Sequence, residues 1–241
     1  MTAFSLVAAP SDSVGGDPLL ALARDAVTVE VFLASIAIGG ALLSRRSIRH
    51  ALGFVPSRMP WRDVAVLCAG TLALSHGLDT ALAWSGWIEH SVLANLPEQL
   101  DGASGAKLGV ALIALALFPA VAEEMLCRGW IQRSLVTRIG PTLGIGAAAL
   151  VFGALHIDPV HAVVATGLGL YLGVVAHWAG SIGPTIVCHG INNAAAVLAA
   201  AQLGPNPGSP ATLVASAVAA AAALAWAGTR ARRRRLAPSG D

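Results

Sequence analysis

The chain is divided into apolar runs long enough to cross a bilayer, and that pattern limits its fold more than any single motif. The runs lie at about 26–44, 63–86, 107–127, 141–156, 160–178, 182–201 and 210–228, against the ~20 residues that a helix needs to traverse the hydrocarbon core. Only 12% of the residues are charged, where a soluble domain carries about a quarter. Backbone amides find no water in lipid, so the spans must be helices or the strands of a closed barrel, and the alternating pattern of a barrel is absent. The expected fold is therefore all-α: a polytopic transmembrane helical bundle of about seven spans, forming a single membrane domain over residues 1–241.

Three subdivisions are expected within it. Residues 1–25 read as a polar leader, because they lack the basic start and long apolar core of a signal peptide. Residues 107–201 contain every ionisable group that lies within an apolar run after the second, and read as the catalytic core helices. Residues 229–241 read as a basic cytoplasmic tail. With seven spans, thirteen Lys and Arg residues collect on one side, and Arg24 and Lys107 alone fall on the other. Basic residues accumulate in cytoplasmic loops, so the amino terminus is expected outside and the carboxyl terminus in the cytoplasm, in a plasma (inner) membrane. The run Arg232 to Arg235 follows an Ala-rich apolar stretch and has no aromatic residues among it for stacking on bases. It suits anionic headgroups, so the lipid bilayer is an expected partner and nucleic acid is not. Cys68, Cys127 and Cys188 show neither zinc-ribbon nor disulfide spacing and read as small apolar filler.

A charge inside a membrane span costs roughly 2.5 to 3.5 kcal/mol on insertion scales, so such residues point to function. Glu123 and Glu124 stand with Arg128 in Ala-Val-Ala-Glu-Glu-Met-Leu-Cys-Arg-Gly. Glu124 and Arg128 are one helical turn apart and suited to an ion pair, which leaves Glu123, rotated by about 100°, available. Phe152 and His156 form a second pair at four-residue spacing, and His189 and Asn193 a third. These groups divide the labour of peptide hydrolysis without a Ser or Cys nucleophile. Glu123 serves as general base on a water that His156 also holds, and His189 and Asn193 donate to the oxyanion that develops at the scissile carbonyl.

Glu-Glu-x-x-x-Arg-Gly at 123–129, Phe-x-x-x-His at 152–156 and His-x-x-x-Asn at 189–193 resemble the three ordered motifs of the CPBP intramembrane proteases. That family contains the type II CAAX prenyl endopeptidases and the Abi, or bacteriocin self-immunity, proteins. The resemblance covers about 115–200. It implies a membrane-embedded endopeptidase acting on a membrane-associated protein or peptide, with Glu123, Glu124, His156, His189 and Asn193 at the catalytic positions and Arg128 and Phe152 in support. Cys127 departs from the aromatic or aliphatic residue that commonly precedes the arginine. A divalent ion such as zinc stays open, with Glu123, His156 and His189 as its candidate ligands. The compact His-Glu-x-x-His motif is absent, and a Glu-activated water requires no cofactor. Two other functions suit the same residues: a catalytically inactive scaffold or immunity protein of this fold, and a proton-coupled transporter, although internal repeats are not evident.

One conflict remains at this level. If the third run ends near 127 and the fourth starts at 141, Glu123 lies towards the cytoplasm and His156 towards the exterior. Straight, fully spanning helices would then keep them apart.

Overall fold

The computed structural model of the protein describes residues 17–44, 46–203 and 208–236. Among these residues there is helix and no strand. The principal helices are α1 (Pro18–Leu42), α2 (Trp61–Ser85), α3 (residues 105–139), α4 (residues 141–154), α5 (Pro159–Ala179), α6 (Gly183–Ala200) and α7 (Pro210–Leu236). Five helices are long and apolar enough to cross a membrane when Gly105–Ala154 is counted as one. That stretch is two passes, because Gly140 at φ 81° and ψ 167° leaves the helical region. Pro141 then opens α4, a position where a missing N–H costs nothing. α6 falls outside the five and carries His189, Asn192 and Asn193, all buried in protein.

Hydrogen bonds between connecting segments show how the passes alternate. At one end of the bundle the Arg58 N–H donates to the Ala179 carbonyl (2.9 Å) and Ile182 N–H to that of Gly53 (3.1 Å). At the other end Val92 N–H donates to the Asp158 carboxylate (2.8 Å) and Gly208 N–H to the Thr80 hydroxyl (3.2 Å). Ion pairs tie the same two ends, Arg230 to Asp63 at 2.9 Å and Lys107 to Asp17 at 2.5 Å.

Three boundaries differ from the sequence expectation. α1 begins at Pro18, inside the expected leader: the Asp17 side chain accepts from Leu19 N–H at 3.0 Å and caps it. Residues 1–16 of that leader lie outside the described residues. The helix expected to end near 228 continues to Leu236 through most of the basic tail, the last five residues of which lie outside the described set. The largest difference is α3, which continues well past 127. Its polar residues there are not a loop: the Arg128 guanidinium donates to the Gly169 carbonyl (3.3 Å) and the Gln132 amide to that of Gly173 (2.9 Å). Two side chains one turn apart on α3 thus reach two carbonyls one turn apart on α5. Cys68 and Cys188 are also more than separate filler, since their buried sulfurs meet at 3.3 Å.

The extended α3 resolves the depth conflict. The helices fold back about Gly140 in matched register. A Cβ on Gly144 would stand 2.6 Å from the Val136 nitrogen, and the Arg128 guanidinium lies 4.2 Å from the centre of the Phe152 ring. Gly144 and Val136 are both four residues from Gly140; Arg128 and Phe152 are both twelve. The same register carries Glu124 and His156 to a common level, each about 24 Å along its arm at ~1.5 Å per residue. The close approach depends on small residues. At Gly153 a Cβ would meet the Thr166 hydroxyl and stand 2.7 Å from the Ala162 carbonyl, so a side chain there would push α4 off α5.

Candidate active site

The carboxylate pair sits at a junction in α3. Residues Phe118–Glu124 are α-helical and Met125–Gln132 form a π-helix. Such insertions are rare and frequent at functional sites. Both Glu123 and Glu124 are buried, as is Arg128. The guanidinium of Arg128 donates to Glu124 Oε1 at 2.6 Å, which is the expected ion pair. Glu124 Oε1 also accepts from His189 Nδ1 at 3.1 Å. The other ring nitrogen of His189, Nε2, faces Glu123 Oε2 at 3.6 Å, just beyond direct hydrogen-bonding distance. One imidazole therefore lies between the two adjacent carboxylates, hydrogen-bonded to Glu124 and with its other nitrogen turned towards Glu123.

His156 joins this group through Phe152. The Phe152 ring meets His156 edge-on at 5.0 Å and His189 edge-on at 5.9 Å, with Arg128 over its face. His156 Nδ1 lies 2.8 Å from the Phe152 carbonyl. A carbonyl only accepts, so Nδ1 carries a proton and Nε2 of the neutral ring keeps its lone pair. Asn193 lies one turn beyond His189 on α6 and is buried with it. The structure thus joins Glu123, Glu124, Arg128, Phe152, His156 and His189 by a chain of side-chain contacts from α3, α4 and α6. Asn193 is placed beside them by the turn of its own helix.

Among the described residues, no three His, Cys, Asp or Glu side chains are arranged to hold a metal ion. His189 turns Nδ1 to Glu124 and His156 turns Nδ1 to a carbonyl, so Nε2 of each ring is the nitrogen that would face a divalent ion together with Glu123.

Three further buried polar residues stand near this group: His161, which the sequence also allowed as part of an interfacial polar turn with Asp158, and Gln132 and Glu30, which it did not single out. His161, on the first turn of α5, stacks edge-on against His156 at 4.3 Å. Asp158 caps that turn by accepting from the His161 N–H at 2.8 Å, as an interfacial polar turn should. Gln132 holds α3 to α5. The third, Glu30 on α1, is buried and lines a largely apolar cavity of about 330 Å³ with Val121, Ala122 and Met125, close enough to Glu123 for their charges to interact. A lone acid within the first apolar run is the signal that would have found it.

Fold and site define a polytopic α-helical membrane protein whose interior holds a carboxylate pair, two imidazoles and a guanidinium. Residues 105–195 match the family model described as Type II CAAX prenyl endopeptidase Rce1-like, in agreement with the CPBP family that the three motifs resemble. The match takes in α3, α4, α5 and α6 as far as two residues beyond Asn193, and supports a protease kind of activity. No curated protein and no solved structure matches the chain.

Proposed function

We propose that this chain is an intramembrane endopeptidase that hydrolyses a peptide bond in a membrane-associated protein or peptide. The observation that carries the reading is the position of His189 between Glu123 and Glu124, within a buried group that also contains His156. A water between Glu123 and His156 Nε2 would donate one hydrogen bond to each, which turns its own lone pair towards the scissile carbonyl. Glu123 takes the proton as the C–O bond forms, and later returns it to the departing amine. His189 Nε2 makes no hydrogen bond among the described residues and is the atom left to meet the oxyanion. As a donor it works in the doubly protonated ring, with Nδ1–H held by Glu124. Asn193 adds a second donor from the same face of α6. Arg128 holds Glu124 in place through their ion pair, and Phe152 sets the spacing of the two imidazoles. No resident metal enters any of these steps. The apolar cavity between α1 and α3, at Glu30 and Ala122, gives a lipid-borne substrate a lateral route to Glu123.

The charge asymmetry supports an amino terminus outside and a carboxyl terminus in the cytoplasm, and a single functional domain built around α3 to α6. Comparing membrane proteomes from cells carrying wild-type, Glu123→Gln and His156→Ala protein tests the activity. Both variants should insert and fold, and both should lose the same product fragment, with turnover reduced about 10³-fold, within the usual range for general-base catalysis. Retained cleavage in either variant counts against the mechanism. A phenotype that survives in both would favour the non-catalytic scaffold.

A further inference from the structure

The two thiols that meet between α2 and α6 differ in what can reach them. Cys68 and Cys188 are free, with their sulfurs 3.3 Å apart, so an S–S bond of about 2.0 Å needs them to close by roughly 1.3 Å. Cys188 is fully enclosed, at 0% exposure, whereas Cys68 keeps 7%. Cys68 also lines a cavity of about 660 Å³ between the two helices, together with Ala65, Ala69, Leu72, Val187 and Ile191. No charged residue lines it among the described residues. Val187 and Ile191 are exposed on the outside of the bundle, so the cavity opens towards the acyl chains of the bilayer.

A reachable thiol backed by an enclosed one turns a single oxidation into a disulfide. The reachable sulfur is oxidised first, and its neighbour resolves it before it climbs further up the oxidation ladder. An apolar entrance selects an oxidant with an apolar body over a charged one.

We propose that Cys68 and Cys188 are a redox site, converted to a reversible disulfide by an apolar hydroperoxide that enters from the bilayer. The Cys68 sulfur attacks the terminal oxygen of the hydroperoxide; the O–O bond breaks, and the alcohol leaves with the thiol proton, giving a sulfenic acid. The Cys188 sulfur then attacks Cys68 Sγ; the S–O bond breaks, and the hydroxyl leaves as water with the Cys188 proton. Two thiols are oxidised, and one hydroperoxide is reduced to alcohol and water. A dithiol reverses the bond by exchange.

Cys188 directly precedes His189, and the turn of about 100° per residue sets the two side chains on different neighbours. Cys188 faces α2, and His189 faces the carboxylates of α3. Drawing Cys188 towards α2 lengthens the 3.1 Å contact of His189 with Glu124, so the disulfide lowers cleavage. That last step rests on the protease reading; the disulfide itself does not.

The test treats the full chain in neutral detergent with cumene hydroperoxide, then unfolds it and alkylates it with N-ethylmaleimide. Of the three cysteines, all should be alkylated in untreated protein and Cys127 alone in treated protein, with the Cys68 and Cys188 peptides joined until a dithiol is added. In Cys188→Ala, or Cys188→Ser if that variant fails to fold, the hydroperoxide should leave a sulfenic acid on Cys68 that dimedone traps. In Cys68→Ala, Cys188 should stay a thiol. Ala69→Phe, which fills the cavity from an exposed position, should slow the reaction several-fold. Three alkylated cysteines in treated wild type overturn the site, as does dimedone trapped on Cys188 rather than Cys68. An undiminished rate in Ala69→Phe overturns the route through the cavity. In cells, the fragment that disappears with Glu123→Gln should also fall several-fold when wild type is treated with the hydroperoxide, and not when Cys68→Ala is. A complete disulfide with the fragment unchanged overturns the coupling to His189, whereas a fragment missing before treatment counts against the protease reading and leaves the alkylation result to decide the redox site.

Discussion

The hairpin of α3 and α4 and the helix α7 are both apolar membrane helices, yet they are built on opposite terms. About 67% of the most apolar stretch of Gly105–Ala154 is buried inside the protein, against 28% for α7. The hairpin is held by polar groups that reach across it: Arg128 to Glu124, Gly169 and Phe152, and Gln132 to Gly173. α7 lies on α2 through small residues, with Gly70 against Ala223 and Gly77 against Ser216, and through the ion pair of Arg230 with Asp63. Lipid offers no hydrophobic drive for one helix to seek another, so packing of small side chains and internal hydrogen bonds do that work. The hairpin offsets its polar cost with these internal partners; α7 avoids that cost by turning apolar residues such as Val214 and Val218 outward.

The contrast can be broken most severely at Arg128. Arg128→Met leaves Glu124 buried without its cation and should cost about 3–5 kcal/mol, read as a lowered thermal midpoint in detergent. Glu124→Gln added to it should restore much of that stability while leaving the protein inactive. A Met variant as stable as wild type would mean that the ion pair is not what holds the hairpin. Next in size is Gly153→Ala. The new methyl meets Thr166 and the Ala162 carbonyl, so α4 must move, at a cost of about 1–3 kcal/mol. Pairing it with Thr166→Ala should recover part of that loss, because one of the two obstructing groups is then gone. On α7 the outward residue Val218 is exposed, and Val218→Ala should change stability by no more than about 0.5 kcal/mol. A larger loss would show that this face has a protein neighbour.

The smallest effect is expected at Asp17. Its hydrogen bond to Lys107 holds the carboxyl below the usual carboxylate range. A lowered pKa means the tie is complete above the ordinary carboxylate value and fades as pH falls through the lowered one. Amide exchange in the first turn of α1 should therefore quicken in acid relative to a control helix. Asp17→Asn, which keeps the capping oxygen, should remove that pH dependence.

Much of this could be read from residue spacing. Glu124 with Arg128, Phe152 with His156, and His189 with Asn193 sit at four-residue intervals, and each pair lies on one helix as that interval requires. Each of the seven expected apolar runs has a helix at its place, because apolar length is a coarse property that survives errors at the ends, although five helices, with Gly105–Ala154 counted as one, are long and apolar enough to cross a membrane. What failed was the reading of 128–139. Arg128, Gln132, Arg133 and Arg138 look like a cytoplasmic loop when counted as polar residues, and only their partners on α5 show that two of them are interior. The π-helix had no signature in the sequence, since it follows from how Met125 to Gln132 pack. Gly140-Pro141, by contrast, stands where the fourth run was expected to begin, and Asp17-Pro18 is a capping signal that the leader expected over 1–25 passed over. The meeting of Cys68 and Cys188 across 120 residues needed the third dimension.

The fold-back about Gly140 has a consequence for how this chain can change in length. Deleting one residue between Glu124 and Gly140 would swing everything before it by about 100° relative to α4, and the carboxylate pair would turn away from the imidazole on the other arm. Extra residues inserted at Gly140 itself would leave both arms as they are. Natural variants of this sequence should therefore gain or lose residues at the tip of the hairpin, and keep its two legs at constant count.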